Sequence, residues 1–344
     1  MKSPRVMALV MTVLGIAGAA LLVALLLHHD VSDIAGAVAA AGWGVVAVVV
    51  FHSVPLFLDV FNWRVLFPPQ HRLPFRSLLW MRWLGDSVST LLPVAQIGGD
   101  LLRIQLAGRR IPVSIAAATV VLTVTVSVLT QIVFTLTGLA LLAIFHGGSN
   151  LAGPTLLATV IATVVVSVFF FVQRIGLFRM FGLLAAKLTR VSGCDRLLQH
   201  CETLDDDIRA LYARRRAVLV SCLWTMGVWA TCAVEVWIAL RALGRPVGYI
   251  DAYILESMTQ GVRSAMFLVP GALGVQEGGY LIVGAALGIP GETAMALAMI
   301  RRVRELAWSA PGVIAWQITE GWRRWRPASA SAYALSENPA RKAP

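Results

Sequence analysis

From Pro112 to Phe145 the chain runs without one Asp, Glu, Lys or Arg. A membrane-crossing helix needs roughly 20 consecutive, mainly apolar residues, and this run exceeds that. Further apolar runs cover Val6 to Leu27, Trp43 to Phe67, Pro154 to Val172, Ala217 to Leu240 and Glu292 to Ile318. Of the 344 residues, 58% are hydrophobic and only 14% charged, against about 25% charged in a soluble domain, and mean hydropathy is +0.76. Such a chain cannot cover a water-facing surface of its own size. It reads as an integral membrane protein.

The formal net charge of +11 and pI of about 10.4 would suggest nucleic acid in a soluble domain. Here the 29 Lys and Arg flank apolar runs instead of covering a polar face, which excludes that class of partner. Lys2 and Arg5 precede the first run; Arg64, Arg72, Arg76, Arg109 and Arg110 bracket the region around residue 90; nine basic residues lie between Gln173 and Arg216; and Arg323, Arg324 and Arg326 follow the last run. By the positive-inside rule these segments face the cytoplasm, with both termini inside and the chain multi-pass. Val6 to Leu27 is too long for a signal h-region and lacks a small-x-small cleavage site, so it is expected to stay as a span. Trp43, Trp63, Tyr249, Trp322 and Trp325, near the span ends, are expected in interfacial belts.

Two stretches are broken differently. Ser77 to Leu92 is interrupted by Pro93 to Gly99 before Asp100 to Ala107 resumes, with arginines on both sides; Ile250 to Val269 is interrupted by Pro270 to Gly274 before Val275 to Leu287. In both an acid follows the proline by seven residues, Asp100 after Pro93 and Glu277 after Pro270. Pro93, Gly98, Gly99, Pro270, Gly271 and Gly274 free backbone groups that lipid cannot satisfy, so these loops must face protein or water. The reading is an inverted repeat, which places a substrate site where broken helices meet near the midplane. The expected fold is all-α and polytopic, with about six spanning helices plus two oppositely oriented re-entrant helical hairpins. The alternative is that proline and glycine kink two ordinary spans, giving about eight crossings.

Ionisable groups at membrane depth are costly and mark functional pathways. Seven acids (Asp59, Asp86, Asp100, Glu235, Glu256, Glu277, Glu305) face six arginines (Arg82, Arg103, Arg263, Arg301, Arg302, Arg304), so pairing can nearly neutralise the interior. Arg301 shares a helical face with Arg304 and Glu305, and an arginine fork suits phosphate. The candidate lipid-binding or translocation residues are Asp100, Arg103, Glu235, Arg263, Glu277, Arg301, Arg304 and Glu305. Two plainer roles stand beside this: Arg82 and Arg103 snorkelling to the interface, and Asp100 and Glu277 capping half-helices. Of the two acids, Glu277 sits in the Gly-richer loop and is expected to matter more.

Asp205, Asp206 and Asp207 follow Thr203 and are expected to form the first turn of a helix. Cys194, Cys201, Cys222 and Cys232 show no CxxC spacing, so inert thiols are expected and no metal. Gly271 to Gly279 follows no strand, which removes a dinucleotide loop. No cofactor is expected, and without a nucleophile-base pair the chain does not read as an enzyme.

Three stretches carry a family resemblance: LLPVAQIGGDLLR (Leu91 to Arg103), FLVPGALGVQEGGY (Phe267 to Tyr280) and RRVRELA (Arg301 to Ala307). In their order and spacing the chain resembles the lysylphosphatidylglycerol synthase transmembrane-domain family of flippase-like membrane proteins. WMRWLGDSVSTLLPVAQIGGD, CETLDDDIRALYARRR and VPGALGVQEGG are similar to its hopanoid-biosynthesis-associated subgroup. The resemblance implies a lipid-translocating module across residues 1–326, with a cytoplasmic loop at 173–216 and a disordered tail at 327–344. In this family the module is often fused to an aminoacyl-transfer domain; no such segment is present, so aminoacyl-lipid synthesis is not expected of this chain. The implied partners are membrane lipids, a hopanoid or an anionic lipid, and possible hopanoid-biosynthesis enzymes. The alternative is a membrane partner of those enzymes that moves no lipid. Oligomeric state is unknown.

Overall fold

The computed structural model describes residues 36, 38–91, 97–146, 194–265 and 272–325. The runs at Val6 to Leu27 and Pro154 to Val172, the tips Pro93, Pro270 and Gly271, and the tail from residue 326 lie outside the described residues.

The described chain is helical, with no strand: α1 (Trp43–Phe51), α2 (Ser53–Leu66), α3 (Phe75–Leu91), α4 (Ile97–Gly108), α5 (Val113–Phe145), α6 (Cys194–Ala213), α7 (Arg215–Ala242), α8 (Tyr249–Ala265), α9 (Val275–Ala286) and α10 (Gly291–Trp325). Among the described residues three stretches are long and apolar enough to cross a membrane: Trp43–Leu66, Val113–Phe145 and Arg215–Ala242. α10, at 35 residues, is longer than any of them, but Arg301, Arg302, Arg304 and Glu305 interrupt its apolar character.

α1 and α2 form one apolar stretch that breaks at His52. Pro55 lacks the N–H that would bond to the carbonyl of Phe51, and its ring crowds the preceding turn. The next amide, Leu56, reaches the His52 carbonyl only at 3.5 Å.

α7 runs antiparallel to α1 and α2. Ser221 donates to Asn62, the Arg214 Nη1 donates to the Leu66 carbonyl at 2.9 Å, and at the other end Gly44 lies against Ala242. Behind α7, Gly244 (φ +72°) reverses the chain: its N–H bonds to Arg241 O at 3.1 Å and that of Arg245 to Leu240 O at 3.0 Å. Gly288, also at φ +72°, does the same after α9. A side chain with a Cβ tolerates this backbone poorly.

α3 and α4 pack back to back as a hairpin. A Cβ on Gly99 would fall on the Gly85 carbonyl and the Ser89 hydroxyl, so the two backbones touch, as small residues allow between helices in lipid. The open ends of this hairpin lie side by side, Arg110 donating to Ser77. α8 and α9 pair in the same way, with Tyr280 against Glu256 and Gln276 against Arg263.

Apolar residues form two main cores. One includes Val60, Trp63, Leu78, Met81, Ala116 and Val120; the other includes Val48, Leu139, Val236, Leu255, Tyr280 and Leu297. Along α5, positions 116 to 120 belong to the first and 139 to 142 to the second. The ionisable residues occupy the layer between.

Two local expectations change. The helix containing Asp205, Asp206 and Asp207 starts at Cys194, so these acids sit in its middle and not in a first turn. Nothing before Thr203 stops a helix, and Leu197 and Leu198 favour one. Trp63 is fully buried, not in an interfacial belt; its Nε1 donates to Thr119 Oγ1 at 3.3 Å and the Arg103 guanidinium sits 5.5 Å from its ring centroid. Trp43, by contrast, is 85% exposed.

Candidate functional site

Between the two apolar cores lies a cavity of about 440 Å³. Its walls come from both hairpins and from the long helical segments: His52 and Leu56 from α1–α2, Arg82 to Thr90 from α3, Asp100 and Arg103 from α4, Thr123 to Val128 from α5, Cys232 from α7, Gln260 and Arg263 from α8, and Arg301 to Ser309 from α10. The described flanks of both hairpin tips therefore border one space.

The α10 side is an ion lattice. Arg301, with a side chain 2% exposed, donates from Nη1 to Glu235 Oε1 at 3.0 Å and from Nη2 to Glu256 Oε1 at 2.8 Å. Glu256 also accepts from the Tyr280 hydroxyl at 2.7 Å and from Gln260 Nε2 at 3.0 Å. Glu235 additionally meets Arg304 Nε at 3.3 Å and His52 Nδ1 at 2.9 Å. His52 Nδ1 is itself 2.7 Å from Arg304 Nη1. One ring nitrogen cannot donate to a carboxylate and accept from a guanidinium at once, so the tautomer of His52 decides which of the two contacts is a hydrogen bond.

Beside the second hairpin tip, Arg302 ties three pieces together. Its Nε donates to Glu277 Oε1 at 2.7 Å, Nη1 to Glu305 Oε2 at 2.8 Å and Nη2 to the Ala272 carbonyl at 3.3 Å. Ala272 has φ +47°, a left-handed backbone that costs a non-glycine residue energy and persists where surroundings impose it. Arg263 donates to Gln276 Oε1 at 2.9 Å and lies 3.7 Å from Glu305.

The α3–α4 side forms a second cluster. Arg82 pairs with Asp59 and, at 2.9 Å, with Asp86; Arg103 pairs through Nη2 with Asp100. Neither arginine snorkels away from the bundle: Arg103 is 3% exposed. Small side chains along α3 and α4 explain this, because Gly85 lies against the Arg103 stem and leaves it no route outward.

Of the residues singled out from sequence, Asp100, Arg103, Arg263, Arg301, Arg304 and Glu305 border the cavity. Glu235 stands behind it, bridging Arg301 and Arg304, and Glu277 stands behind Arg302. Gly98 and Gly99 lie in the first turn of α4, and Gly274 caps α9 with φ +74°. Arg301 was the expected phosphate ligand, yet both its terminal nitrogens are taken by carboxylates. Sequence reasoning places neither His52 nor Ser87, Ser89, Thr90, Thr123 or Ser127 at the site, though all six line it. The i, i+4 spacing of Thr123 and Ser127 on α5 was the available signal, since it places two hydroxyls on one face.

As a chemical device the site is a polar, self-neutralised chamber enclosed by apolar layers. It offers hydroxyls, guanidinium groups and carboxylates to a hydrated or charged group, inside a bundle whose outer surface carries exposed Ile144, Leu223 and Ile314.

No curated protein and no solved structure matches the chain. A family model described as the lysylphosphatidylglycerol synthase TM region matches residues 12–312. With most of its length covered, the chain belongs to that family of membrane domains.

Proposed function

We propose that this chain is a lipid translocase of the bacterial inner membrane, acting on a hopanoid or related lipid, whose headgroup passes through the cavity between the hairpins. The observation that carries the reading is the cavity itself. Thr123 to Val128 lie roughly 15 to 22 Å along α5 from its first residue, and half the thickness of a hydrocarbon core is about 15 Å. A polar chamber at that depth serves a polar group in transit, because its desolvation in lipid is what opposes crossing. The role is carriage and not bond-making: the lining arginines are engaged in ion pairs, and among the described residues no nucleophile is held against a base.

The supporting topology has six crossings. Trp43–Leu66, Val113–Phe145 and Arg215–Ala242 are joined by α10 and by the apolar runs at Val6 to Leu27 and Pro154 to Val172, with α3–α4 and α8–α9 as re-entrant hairpins entering from opposite sides. Both termini are then cytoplasmic. Cysteines placed at Arg72 and Arg109 are expected to react with a membrane-impermeant maleimide from the same side, since the first hairpin starts and ends there. Labelling from opposite sides makes that hairpin a full crossing and removes the inverted repeat.

The function itself is tested by reconstituting the purified chain in liposomes with a fluorescent lipid and following its bleaching by an impermeant reductant. Faster loss of inner-leaflet protection than in protein-free vesicles is the expected result. If neither an anionic phospholipid nor a hopanoid crosses faster, translocation is wrong and the chain is a non-transporting partner of hopanoid-biosynthesis enzymes.

A further inference from the structure

A second pocket lies away from the cavity, where α2 ends and α7 begins. It encloses about 450 Å³ and is lined by Arg72, Arg214, Arg215 and Arg216 over an apolar floor that includes Val65 and Val220. Among the described residues no carboxylate lines it. The contrast with the interior is sharp: there each lining arginine meets an acid, whereas among the described residues none of these four forms an ion pair.

We infer that this pocket binds the phosphate headgroup of an anionic membrane lipid. Arginine forks match phosphate oxygens, and basic pockets between helix ends at the membrane surface hold such headgroups. The position favours a lipid over a free anion. α2 and α7 belong to stretches long and apolar enough to cross a membrane, so their paired ends lie at headgroup level. From Arg215 a row at i, i+4 and i+8 continues to Leu219 and Leu223, which are 64% and 71% exposed, giving an acyl chain an apolar track directly below the headgroup. Arg214 has a structural task as well, donating to the Leu66 carbonyl, and this fixes the pocket between the two helices. Four cations without a counter-charge select a net-negative headgroup over a zwitterionic one. The inference is independent of whether the chain moves lipid.

Basic residues flank membrane spans in general, so the test must separate a built pocket from bulk positive charge. The full chain is purified in detergent, and bound phosphatidylglycerol is counted by native mass spectrometry during titration against a phosphatidylcholine background. The variant R72Q/R215Q/R216Q keeps Arg214; the control R64Q/R76Q/R109Q removes the same charge from arginines outside the pocket. The pocket variant is expected to bind phosphatidylglycerol roughly a hundredfold more weakly, at about fivefold per arginine, while the control stays near the parent. R215Q alone, the milder change, is expected to show about the fivefold step, which keeps the test open if the triple variant does not fold. Equal losses in pocket variant and control overturn the inference, as does equal retention of phosphatidylcholine. Displacement of the lipid by millimolar inorganic phosphate makes the ligand a soluble anion and overturns the lipid assignment.

Discussion

Arg301→Gln is expected to cost the protein about 3 to 5 kcal/mol of stability, the usual consequence of removing one partner from a buried ion cluster. Net stabilities are only about 5 to 15 kcal/mol, so the loss is a large share of the total. The reason is geometric. Arg301 is 2% exposed and neutralises Glu235 and Glu256 simultaneously, on two different helices. Glutamine removes the charge both share: Glu235 keeps Arg304 and His52, but Glu256 is left with only the neutral donors Tyr280 and Gln260. Arg301→Lys should be intermediate, because an ammonium is a point charge and cannot span both carboxylates. The triple change R301L/E235Q/E256Q, which removes the charges together, should be less damaging than Arg301→Gln alone. Thermal melts of the detergent-solubilised chain, read by fluorescence-detected size exclusion, decide this; an Arg301→Gln variant melting with the parent means the lattice does not hold α7, α8 and α10 together.

Asp100→Asn is expected to cost less stability than Arg301→Gln, because the polar cavity beside it softens the loss of charge, and to slow lipid translocation by about tenfold, equivalent to roughly 1.4 kcal/mol in the limiting step. Its side chain is 29% exposed, borders the cavity and holds Arg103 through one nitrogen. The amide keeps size and capping ability but leaves a buried guanidinium without its counter-charge in the wall a headgroup must pass. Glu277→Gln should behave differently. Glu277 is fully buried, does not border the cavity and faces Arg302, which retains Glu305. From this geometry we expect Glu277 to act as a support of the hairpin tip, the opposite of the ranking that loop composition suggests. The liposome assay and a melting curve on both amide variants separate the cases. An Asp100→Asn variant that translocates like the parent, or a Glu277→Gln variant that melts like the parent but no longer translocates, refutes the assignment.

What sequence revealed and what it hid divide along contact range. The charge-free run that became α5, the two Pro-Gly breaks flanking α4 and α9, and the count of acids against arginines all follow from local order. The partners do not. Asp100 with Arg103 is legible because three residues separate them on a helix, but nothing local joins His52 to Glu235, or Arg301 to both Glu235 and Glu256. Helical spacing suggested that Arg301, Arg304 and Glu305 share a face, whereas tertiary packing gave Arg301 its acids from α7 and α8. Trp63 likewise looked interfacial by its place near the end of a span, until α4 and α5 covered it with Arg103 and Thr119. Burial by a neighbour is invisible from one helix alone.

The long reach of these ion pairs sets an order of biogenesis. Glu235 lies 66 residues before Arg301 and Glu256 lies 45 before it, while His52 waits 252 residues for Arg304. A chain inserted as it is synthesised delivers α7 and α8 to the bilayer before their cations exist. Until α10 arrives, Glu235 and Glu256 lack the guanidinium that bridges them and have only His52, Gln260 and Tyr280 as polar partners. α10 is therefore the closing element of assembly, which makes the completeness of synthesis a condition of stable residence in the membrane.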